Sequence, residues 1–363
     1  MTTSGTPKKL VVAGALGVVG RAVVEHFAKR TGLEVVGLAR RSADFAPQVT
    51  WVSADLRDPE ATRRALAPHR DATHLVYAAL NEQTNLVQGW RDAANAALNT
   101  EMLKHTLAAL EGAPLQHVSL LQGTKAYGVH TGRPMRVPAR EQDALRDHTN
   151  FYFDQQDLVE QHAQRSGCAW TAWRPQIVLG VALGSAMNPV AALGAYAVIQ
   201  RERGLPLQPV GHPQLLTECT DARLIAQAID WSWGQPHAHG RAFNITNGDI
   251  IVWSTLWPRM AQLFGMALGE PSEERLRDFM PAQADVWQRL AERDGLRIND
   301  LDTLMGLSWQ YAEATFASRK TLPVPPIVST VQLRQAGFHA CIDTEECIVE
   351  HLQIMQAHRY LPR

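Results

Sequence analysis

Residues 9–29 read KLVVAGALGVVGRAVVEHFAK, and this stretch decides the fold class. The apolar run Leu10–Ala13 predicts a buried β-strand, and the run from Arg21 to Lys29 predicts a helix. Three glycines lie in the turn between them: Gly14, Gly17 and Gly20. A glycine-rich turn that joins a strand to a helix is typical of dinucleotide-binding sites, because the helix N-terminus attracts the pyrophosphate.

Further short apolar runs alternate with helical patterns along the first half of the chain. Predicted strands cover Glu34–Leu38, Thr50–Ser53, Thr73–Ala78, His117–Leu121 and Trp170–Trp173. Helical patterns fill the gaps, the clearest over Asn95–Leu110. This alternation implies right-handed crossovers between parallel strands. We therefore predict an α/β fold with a Rossmann-like, doubly wound parallel sheet.

The second half of the chain is less regular. Prolines and glycines crowd between 180 and 213, whereas Ala242–Thr246 predicts a strand that returns to the sheet. We expect a nucleotide-binding domain over residues 1–180, with a returning segment near 215–250. A smaller, interleaved C-terminal substrate lobe is expected over residues 181–214 and 251–363.

Composition and charge exclude several classes of function. The 363 residues are 45% hydrophobic and 20% charged, and the formal net charge of −1 gives no reason to expect a nucleic-acid or membrane partner. The four cysteines show no metal-ligand spacing, so no metal site is predicted. Glycines and Arg21 interrupt the first apolar run too early for a signal or membrane span, and a cytoplasmic location is expected.

The end of the second predicted strand indicates which dinucleotide binds. An NAD enzyme usually places an acidic residue there, but this chain has Ala39, Arg40, Arg41 and Ser42. Two guanidinium groups suit the 2′-phosphate of NADP, and Ser42 offers a further donor. The cofactor is therefore predicted to be NADPH/NADP. The alternative is that the two arginines are a solvated pair of surface charges.

A catalytic pair is harder to find. Short-chain dehydrogenases normally carry a tyrosine with a lysine four residues later, and no tyrosine in this chain has that partner. Lys125 instead lies in the segment QGTKAYG, residues 122–128, directly after the fifth predicted strand. Tyr152 lies in NFYFDQQD, residues 150–157, which opens a helix. The loop that carries Lys125 leaves the sheet at its carboxyl edge, where folds of this type bind ligands.

These two segments resemble those of the progesterone 5β-reductase/iridoid synthase family, and the chain is identified as a bacterial-type member. Members are extended short-chain dehydrogenases that act on activated C=C bonds. The resemblance spans nearly the whole chain and implies that Lys125 and Tyr152 are the catalytic residues. Two departures are Phe153, where members often have a second tyrosine, and Gln156, which replaces a commonly acidic residue.

Several other residues are expected to complete the site. Cofactor contacts are expected from Gly14, Leu16, Gly17, Val18, Gly20, Arg40, Arg41, Ser42, Asp55, Leu56, Ala78, Gln122, Lys125, Tyr152, Pro175 and Ile177. Asp55 would accept a hydrogen bond from the adenine amine; the alternative is that it is an ordinary loop aspartate. The substrate pocket is expected to include Tyr127, Phe153 and Asn188, with Tyr127 as a wall or a second donor. Asn150 is expected to cap the helix of Tyr152, and aromatic residues near Trp309 and Phe316 to line an apolar pocket.

The predicted function is NADPH-dependent reduction of the C=C bond of α,β-unsaturated carbonyl compounds. Hydride added to the β-carbon moves negative charge to the carbonyl oxygen, and the neutral hydroxyl of Tyr152 would stabilise the resulting enolate. Lys125 would hold the ribose and lower the pKa of Tyr152 by its charge. A small apolar enone is the expected substrate, and a homodimer the expected assembly.

Three alternatives remain open from the sequence. A carbonyl reductase would use the same residues on a differently placed substrate. A nucleotide-sugar epimerase or dehydratase would share the fold, but it usually needs the Tyr-x-x-x-Lys pair and an acid after the second strand. A non-catalytic NADP-sensing regulator would need no tyrosine beside the nicotinamide.

Overall fold

A seven-stranded parallel sheet organises the protein, which we describe from a computed structural model covering residues 8–317 and 325–363. The strands are β1 Lys8–Ala13, β2 Leu33–Ala39, β3 Thr50–Ser53, β4 His74–Tyr77, β5 His117–Leu121, β6 Ala169–Pro175, β7 Val178–Leu179, β8 Leu216–Thr217, β9 Thr220–Asp221, β10 Arg241–Ile245 and β11 Ile251–Val252. The order in the large sheet is β10-β6-β5-β4-β1-β2-β3, and every neighbouring pair is parallel. The predicted doubly wound parallel sheet is therefore confirmed.

The strand order reverses at β1, which pairs with β2 on one side and β4 on the other. Such a reversal leaves a crevice at the carboxyl ends of the two inner strands, because their crossover connections run to opposite faces. The returning strand predicted near Ala242 is β10, which pairs with β6 at the edge of the sheet. The remaining strands form two small two-stranded ladders, β8 with β11 and β7 with β9.

Helices cover both faces of the sheet. They are α1 Val18–Phe27, α2 Pro59–Leu66, α3 Leu86–Gly89, α4 Ala93–Ala109, α5 Phe151–Ser166, α6 Pro189–Glu202, α7 Ala222–Ser232, α8 Trp253–Leu263, α9 Leu276–Phe279, α10 Ala284–Asp294, α11 Leu301–Met305, α12 Ser308–Ala312, α13 Val331–Gln335 and α14 Thr344–Ala357. None of the described helices is both long enough and apolar enough to cross a bilayer.

The apolar run that opens the chain is buried on both sides. Val11 and Ala13 pack in one core with residues of α2, α4 and α5, whereas Leu10 and Val12 pack in another with residues of α1 and α7. Successive side chains of a strand point to opposite faces, so a strand covered on both faces must be apolar throughout. This is why β1 has no polar residue between Leu10 and Ala13.

A third core lies beside the sheet and belongs to the C-terminal half of the chain. It is built mainly by α6, α8, α10, α11, α12 and α14, with Trp253 stacked on Phe316 at a centroid distance of 3.9 Å. Leu333 and Phe338, in and just after α13, pack instead against the core of the sheet. The chain thus returns to the sheet a second time near its end, in addition to β10.

Candidate active site

A cavity of about 640 Å³ opens at the carboxyl edge of the sheet. Its walls come from the loops after β1, β2, β3, β4, β5 and β6 on the sheet side. On the other side the walls come from residues 183–187 and from the segment around α12. The cavity therefore spans the strand reversal at β1 and the C-terminal core, as expected for a site that holds a dinucleotide beside a second ligand.

The glycine turn after β1 forms one end of this cavity. Gly14 has a φ of +80°, and a Cβ there would lie 2.6 Å from the backbone nitrogen of Ala79, so only glycine fits. Gly17 is the N-cap of α1 and offers no side-chain acceptor, which leaves the first backbone N–H groups of the helix free for an anion. These features fit the pyrophosphate of a dinucleotide.

Gly20 supports the glycine turn by close packing. A Cβ at Gly20 would lie 2.1 Å from the carbonyl oxygen of Gly14, so α1 can pack tightly on the turn only with glycine here. Gly20 is not part of the cavity wall, and the cofactor contact expected from it stays a prediction.

The two arginines after β2 both line the cavity but are held differently. The Nη2 of Arg41 donates to the carbonyl oxygen of Leu183 at 2.8 Å, so Arg41 reaches across to the far wall. The guanidinium of Arg40 has no hydrogen-bond partner among the described residues. Ser42 is exposed and lies outside the cavity wall, so the structure does not support the cofactor contact expected from it.

Asp55 and Leu56 line the same end of the cavity. The carboxylate of Asp55 already accepts from the Arg57 guanidinium, with Nη2 at 2.6 Å and Nε at 3.0 Å, and the hydrogen bond to Arg57 lowers the pKa of Asp55. A carboxylate engaged in this way has less capacity to accept from an adenine amine, so the reading as a loop aspartate gains support.

Tyr152 is placed by the first turn of α5. The side chain of Asn150 accepts from the backbone N–H of Tyr152 at 3.0 Å, which makes Asn150 the N-cap as expected. Gln122, directly after β5, donates to the carbonyl oxygen of Tyr152 at 2.9 Å. The hydroxyl of Tyr152 lies against Gly123, where a Cβ would be only 3.1 Å away. The phenol therefore reaches the cavity from a well-held backbone.

Lys125 lies in a short 3-10 turn after β5, and it converges with Tyr152 on the same cavity. Its Nζ is 5.6 Å from the centre of the Tyr152 ring, 5.0 Å from that of Trp90 and 5.7 Å from that of Phe151. The fold thus brings Lys125 and Tyr152, which are 27 positions apart in sequence, into one cavity.

Burial shifts the pKa of both members of this pair. It raises the pKa of Tyr152, with smaller contributions in the same direction from Glu82 and Tyr311. It lowers the pKa of Lys125, while Glu82 opposes that change. The surroundings as a whole raise the pKa of Tyr152, and the expected lowering by Lys125 stays a prediction. Tyr152 is a neutral hydroxyl and hence a hydrogen-bond donor.

Comparison with known proteins shows to which family the chain belongs. A family model described as NAD(P)H-binding matches residues 14–180. The chain is 29% identical to an (S)-8-oxocitronellyl enol synthase of Antirrhinum majus over 97% of this chain and 92% of that protein. It is 30% identical to a 3-oxo-Delta(4,5)-steroid 5-beta-reductase of Arabidopsis thaliana over 82% of this chain and 80% of that protein. The chain belongs to the progesterone 5β-reductase/iridoid synthase family.

Solved structures agree on the fold of this family member. The UDP-glucose 4-epimerase of Thermus thermophilus, in complex with NAD, superposes with a TM-score of 0.62 and 17% identity, covering 95% of this chain and 99% of the epimerase. Identity this low supports the shared fold alone. The family model and the relatives make the chain an NAD(P)-binding oxidoreductase, and its sheet is that of a Rossmann fold.

Gln156 occupies the position four residues after Tyr152. It accepts from Gln122 at 3.2 Å and donates to Glu160 at 2.8 Å. Gln122 in turn accepts from Arg174 at 2.9 Å. These hydrogen bonds connect β5, β6 and α5 below the cavity. Gln122 lines the cavity, but its polar atoms serve mainly to position Tyr152.

Tyr127 does not belong to the cavity wall of this family member. Its hydroxyl donates to Asn244 on β10 and accepts from Arg174 at 3.4 Å, and the residue packs with Ala139 and Val328. Both the expected roles, a pocket wall and a second donor, were wrong. Tyr127 ends the turn that carries Lys125, and its phenol points toward β10, away from the cavity.

Phe153 and Asn188 also lie outside the cavity wall. Phe153 follows Tyr152 on the helix and therefore points elsewhere, where the guanidinium of Arg146 lies 4.9 Å from its ring centre. Asn188 precedes α6 and is fully buried, and its Nδ2 donates to the carbonyl oxygen of Ala182 at 3.2 Å. Asn188 shapes the loop at 182–188, while Met187 and Ser185 provide the exposed surface of the wall.

Some wall residues were not anticipated from the sequence. They are Glu82 and Trp90 in the connection after β4, His130 after the Lys125 turn, and Leu307 and Thr315 around α12. Glu82 follows a strand of the sheet at its carboxyl edge, and this placement is a signal that could have found it. Tyr311 fits the expectation of aromatic residues near Trp309 in a pocket wall, whereas Trp309 and Phe316 themselves are not in the wall.

One buried cluster of possible metal ligands occurs in the described residues, away from this cavity. Asp221, Cys347 and His351 place ligand atoms within 4.8 Å of one another. The carboxylate of Asp221 already accepts from Arg223 and from the Cys347 thiol, so a cation would compete with a guanidinium. The cluster is an internal charge network, and the expectation of no metal site stays a prediction.

Proposed function

We propose that this protein catalyses the NADPH-dependent reduction of the C=C bond of small, apolar α,β-unsaturated carbonyl compounds. The observation that carries the proposal is the convergence of Tyr152 and Lys125 on one cavity that also contains the glycine cradle. In the overall reaction, a hydride adds to the β-carbon and a proton to the α-carbon, which gives the saturated carbonyl compound. The names of the relatives, a steroid 5-beta-reductase and an enol synthase, support a reaction of this class.

The cofactor end of the cavity is suited to NADPH. Gly14 and Gly17 would admit the pyrophosphate to the N-terminus of α1, and Arg40, with Arg41 beside it, would bind the 2′-phosphate. Bound reduced nicotinamide supplies the hydride. Leu16, Val18, Ala78, Pro175 and Ile177 are the less polar parts of the wall along which the dinucleotide would lie.

Tyr152 would orient and activate the substrate. A neutral phenol donates a hydrogen bond to the carbonyl oxygen, where negative charge develops when the β-carbon accepts hydride. Lys125 adds a positive charge on the same side of the cavity. A preformed donor of this kind contributes on the order of 3 kcal/mol to transition-state stabilisation.

The remaining wall defines the substrate class. Trp90, Met187, Leu307 and Ala314 provide an apolar surface, and the polar groups of Tyr311 and Thr315 are interspersed among them. A pocket of this composition suits a carbon skeleton with few polar groups better than a nucleotide sugar.

An assay of NADPH oxidation with product identification tests the proposal. The panel should contain cyclic and linear enones, simple ketones and nucleotide sugars. We expect enones to be converted to saturated carbonyl compounds, with the carbonyl group retained. Reduction of ketones to alcohols without saturation of any enone would show that the protein is a carbonyl reductase instead.

Other expectations stay predictions. They are the homodimer, the cytoplasmic location, the bacterial type of the family member and the absence of a nucleic-acid partner. The division into a domain over 1–180 with a returning segment near 215–250, and a lobe over 181–214 and 251–363, also stays a proposal. The packing of Leu333 and Phe338 on the sheet would add a second returning segment to that division.

A further inference from the structure

Glu82 lies in the wall of the cavity, in the connection between β4 and α3. Both of its neighbours in sequence are hydrogen-bonded to other parts of the chain. The backbone N–H of Asn81 donates to Asn99 at 2.8 Å, and the side chain of Gln83 donates to Asp92 at 3.1 Å. Trp90 Nε1 donates to the Glu82 carboxylate at 3.3 Å, so these contacts position the carboxylate beside Trp90.

The indole of Trp90 contacts both this carboxylate and the ammonium of Lys125. The same indole that donates to Glu82 has its ring centre 5.0 Å from the ammonium of Lys125. Among the described residues, no carboxylate makes a direct ion pair with Lys125. Aromatic rings replace only part of the hydration of an ammonium ion, so the charged form of Lys125 needs a compensating negative charge nearby.

The charged and titratable groups around Lys125 come from five parts of the chain. They are Glu82 after β4, Asp92 before α4, His130 after the Lys125 turn, Tyr152 on α5 and Tyr311 on α12. Burial raises the pKa of both tyrosines and lowers that of His130 to about 4, so these three groups are neutral near pH 7. Burial also raises the pKa of Glu82, and Lys125 opposes that change. The carboxylate of Asp92 accepts from the backbone of Asn95 and from Gln83. Asp55, the other acidic residue of the described cavity wall, is paired with Arg57.

We propose that Glu82 is a positioning residue of this active site, whose carboxylate acts as the counter-ion that keeps Lys125 protonated beside Tyr152. This inference rests on the proposed function in so far as it concerns turnover. Loss of the carboxylate would leave the ammonium in an apolar surrounding without a compensating charge, and Lys125 would lose its proton at a lower pH. The sequence interval of 43 residues between Glu82 and Lys125 hides this pairing, which exists because β4 and β5 are neighbours in the sheet.

The test is a titration of Lys125 by NMR in the full-length protein saturated with NADP⁺. The chain contains only six lysines, so protein grown with ε-¹³C-lysine gives a short list of signals. The variant Lys125→Arg identifies the signal of Lys125 by its loss. In Glu82→Gln, which keeps the acceptor for Trp90, we expect the midpoint of Lys125 to fall by about one pH unit or more. Glu82→Asp should restore most of the shift.

Glu101→Gln is the matched control. Glu101 is exposed on α4 and pairs with Lys104 at 3.2 Å, so its loss should leave the Lys125 midpoint unchanged. An unchanged Lys125 midpoint in Glu82→Gln, in a variant that unfolds at the wild-type temperature, would overturn the inference. If Glu82→Gln misfolds, the same titration of Glu82→Asp and Trp90→Phe decides whether the Glu82 carboxylate and its Trp90 anchor set the midpoint.

Measurement of turnover distinguishes the proposed function from the proposed role of Glu82. If an enone is reduced, the alkaline limb of kcat/KM against pH should move to lower pH in Glu82→Gln by the same amount as the NMR midpoint. If the limb stays in place while the NMR midpoint moves, Glu82 keeps Lys125 protonated, but turnover does not require the ammonium form of Lys125. If no enone is reduced at all, the proposed function fails, and the NMR midpoint still tests the pairing of Glu82 with Lys125.

Discussion

Two buried tyrosines of this protein show how surroundings decide the role of a side chain. Tyr127 and Tyr152 are 6% exposed or less. The hydroxyl of Tyr127 is bonded to Asn244, whereas that of Tyr152 has no partner among the described residues and faces the cavity. Only Tyr152 is free to donate to a ligand, because a donated hydrogen bond engages the single O–H of a phenol.

Replacement of Tyr152 by Phe removes this free donor. We expect kcat for enone reduction to fall by a factor on the order of 10² to 10³, because a donor to the developing oxyanion is lost. The Kd of NADPH should change little. Tyr127→Phe is the control, and it should keep kcat while lowering the free energy of unfolding by about 1 kcal/mol. Equal turnover of Tyr152→Phe and the wild type would remove Tyr152 from the mechanism.

Arg40 and Arg41 are adjacent in sequence but have different partners. Arg41 is engaged with Leu183 on the far wall, and Arg40 is unengaged among the residues that the structure describes. We expect Arg40→Ala to weaken NADPH binding by roughly tenfold to a hundredfold, since a charge-assisted hydrogen bond contributes about 1.5–3 kcal/mol. The Kd of NADH should stay near its original value, because NADH lacks the 2′-phosphate.

Titration calorimetry with both cofactors measures this difference. Lys104→Ala removes a positive charge remote from the cavity and serves as the control. A parallel loss of NADPH and NADH affinity in Arg40→Ala would show that the guanidinium supports the loop instead of the phosphate.

The start of α5 is the element on which the site depends most. Asn150 caps this helix, and the capped N–H belongs to the catalytic candidate Tyr152. The sequence predicted this cap because asparagine is favoured where a helix starts. It could not predict the contacts of Gln122 and Gln156 that fix α5 against β5, since these join residues 34 positions apart.

Asn150→Ala should lower the free energy of unfolding by about 1 kcal/mol, because the first turn of α5 loses a side-chain acceptor. Asn150→Asp keeps an acceptor and places a negative charge at the helix N-terminus, so it should stay close to the wild type. Urea unfolding of the three proteins measures both effects. Equal stability of the alanine variant and the wild type would contradict a stabilising cap.

Strand and helix positions along the first half of the chain were mostly predictable. The observed β3 and β5 have the predicted bounds, and α1 begins three residues before the predicted Arg21, directly after Gly17. Local periodicity defines an element, whereas its ends depend on caps and neighbours that lie elsewhere in the chain. The helices of the third core were not predicted. In α6, for example, residues 189–200 are all buried, so the apolar residues show no one-sided helical period.

Two buried histidines in the sheet make the stability of the whole protein sensitive to acid. His74 and His117 are buried neighbours at the starts of β4 and β5, and burial lowers the pKa of His74 to about 4 and that of His117 to about 3. The folded protein therefore takes up these protons at lower pH than the unfolded chain does. This contribution to stability is fully present above about pH 6.5 and is lost as the pH falls toward about 3.

His117→Gln should reduce this dependence. At pH 5 a histidine that titrates near about 6.5 in the unfolded chain and near about 3 in the fold costs about 2 kcal/mol relative to pH 7. The difference between the free energies of unfolding at pH 7 and pH 5 should therefore be smaller in His117→Gln by roughly that amount. Urea unfolding at both pH values tests this, and identical differences in variant and wild type would rule out His117 as a contributor.

The sequence by itself determined the class of fold, the glycine cradle and the two segments that carry Tyr152 and Lys125. These features are local, because a strand, a turn and a capped helix depend on residues within a few positions of one another. Only the tertiary structure decided that Tyr127, Phe153 and Asn188 leave the cavity while Glu82 and Tyr311 enter it. The direction of a side chain at the end of a strand depends on which strands are neighbours, and that is a property of the whole sheet.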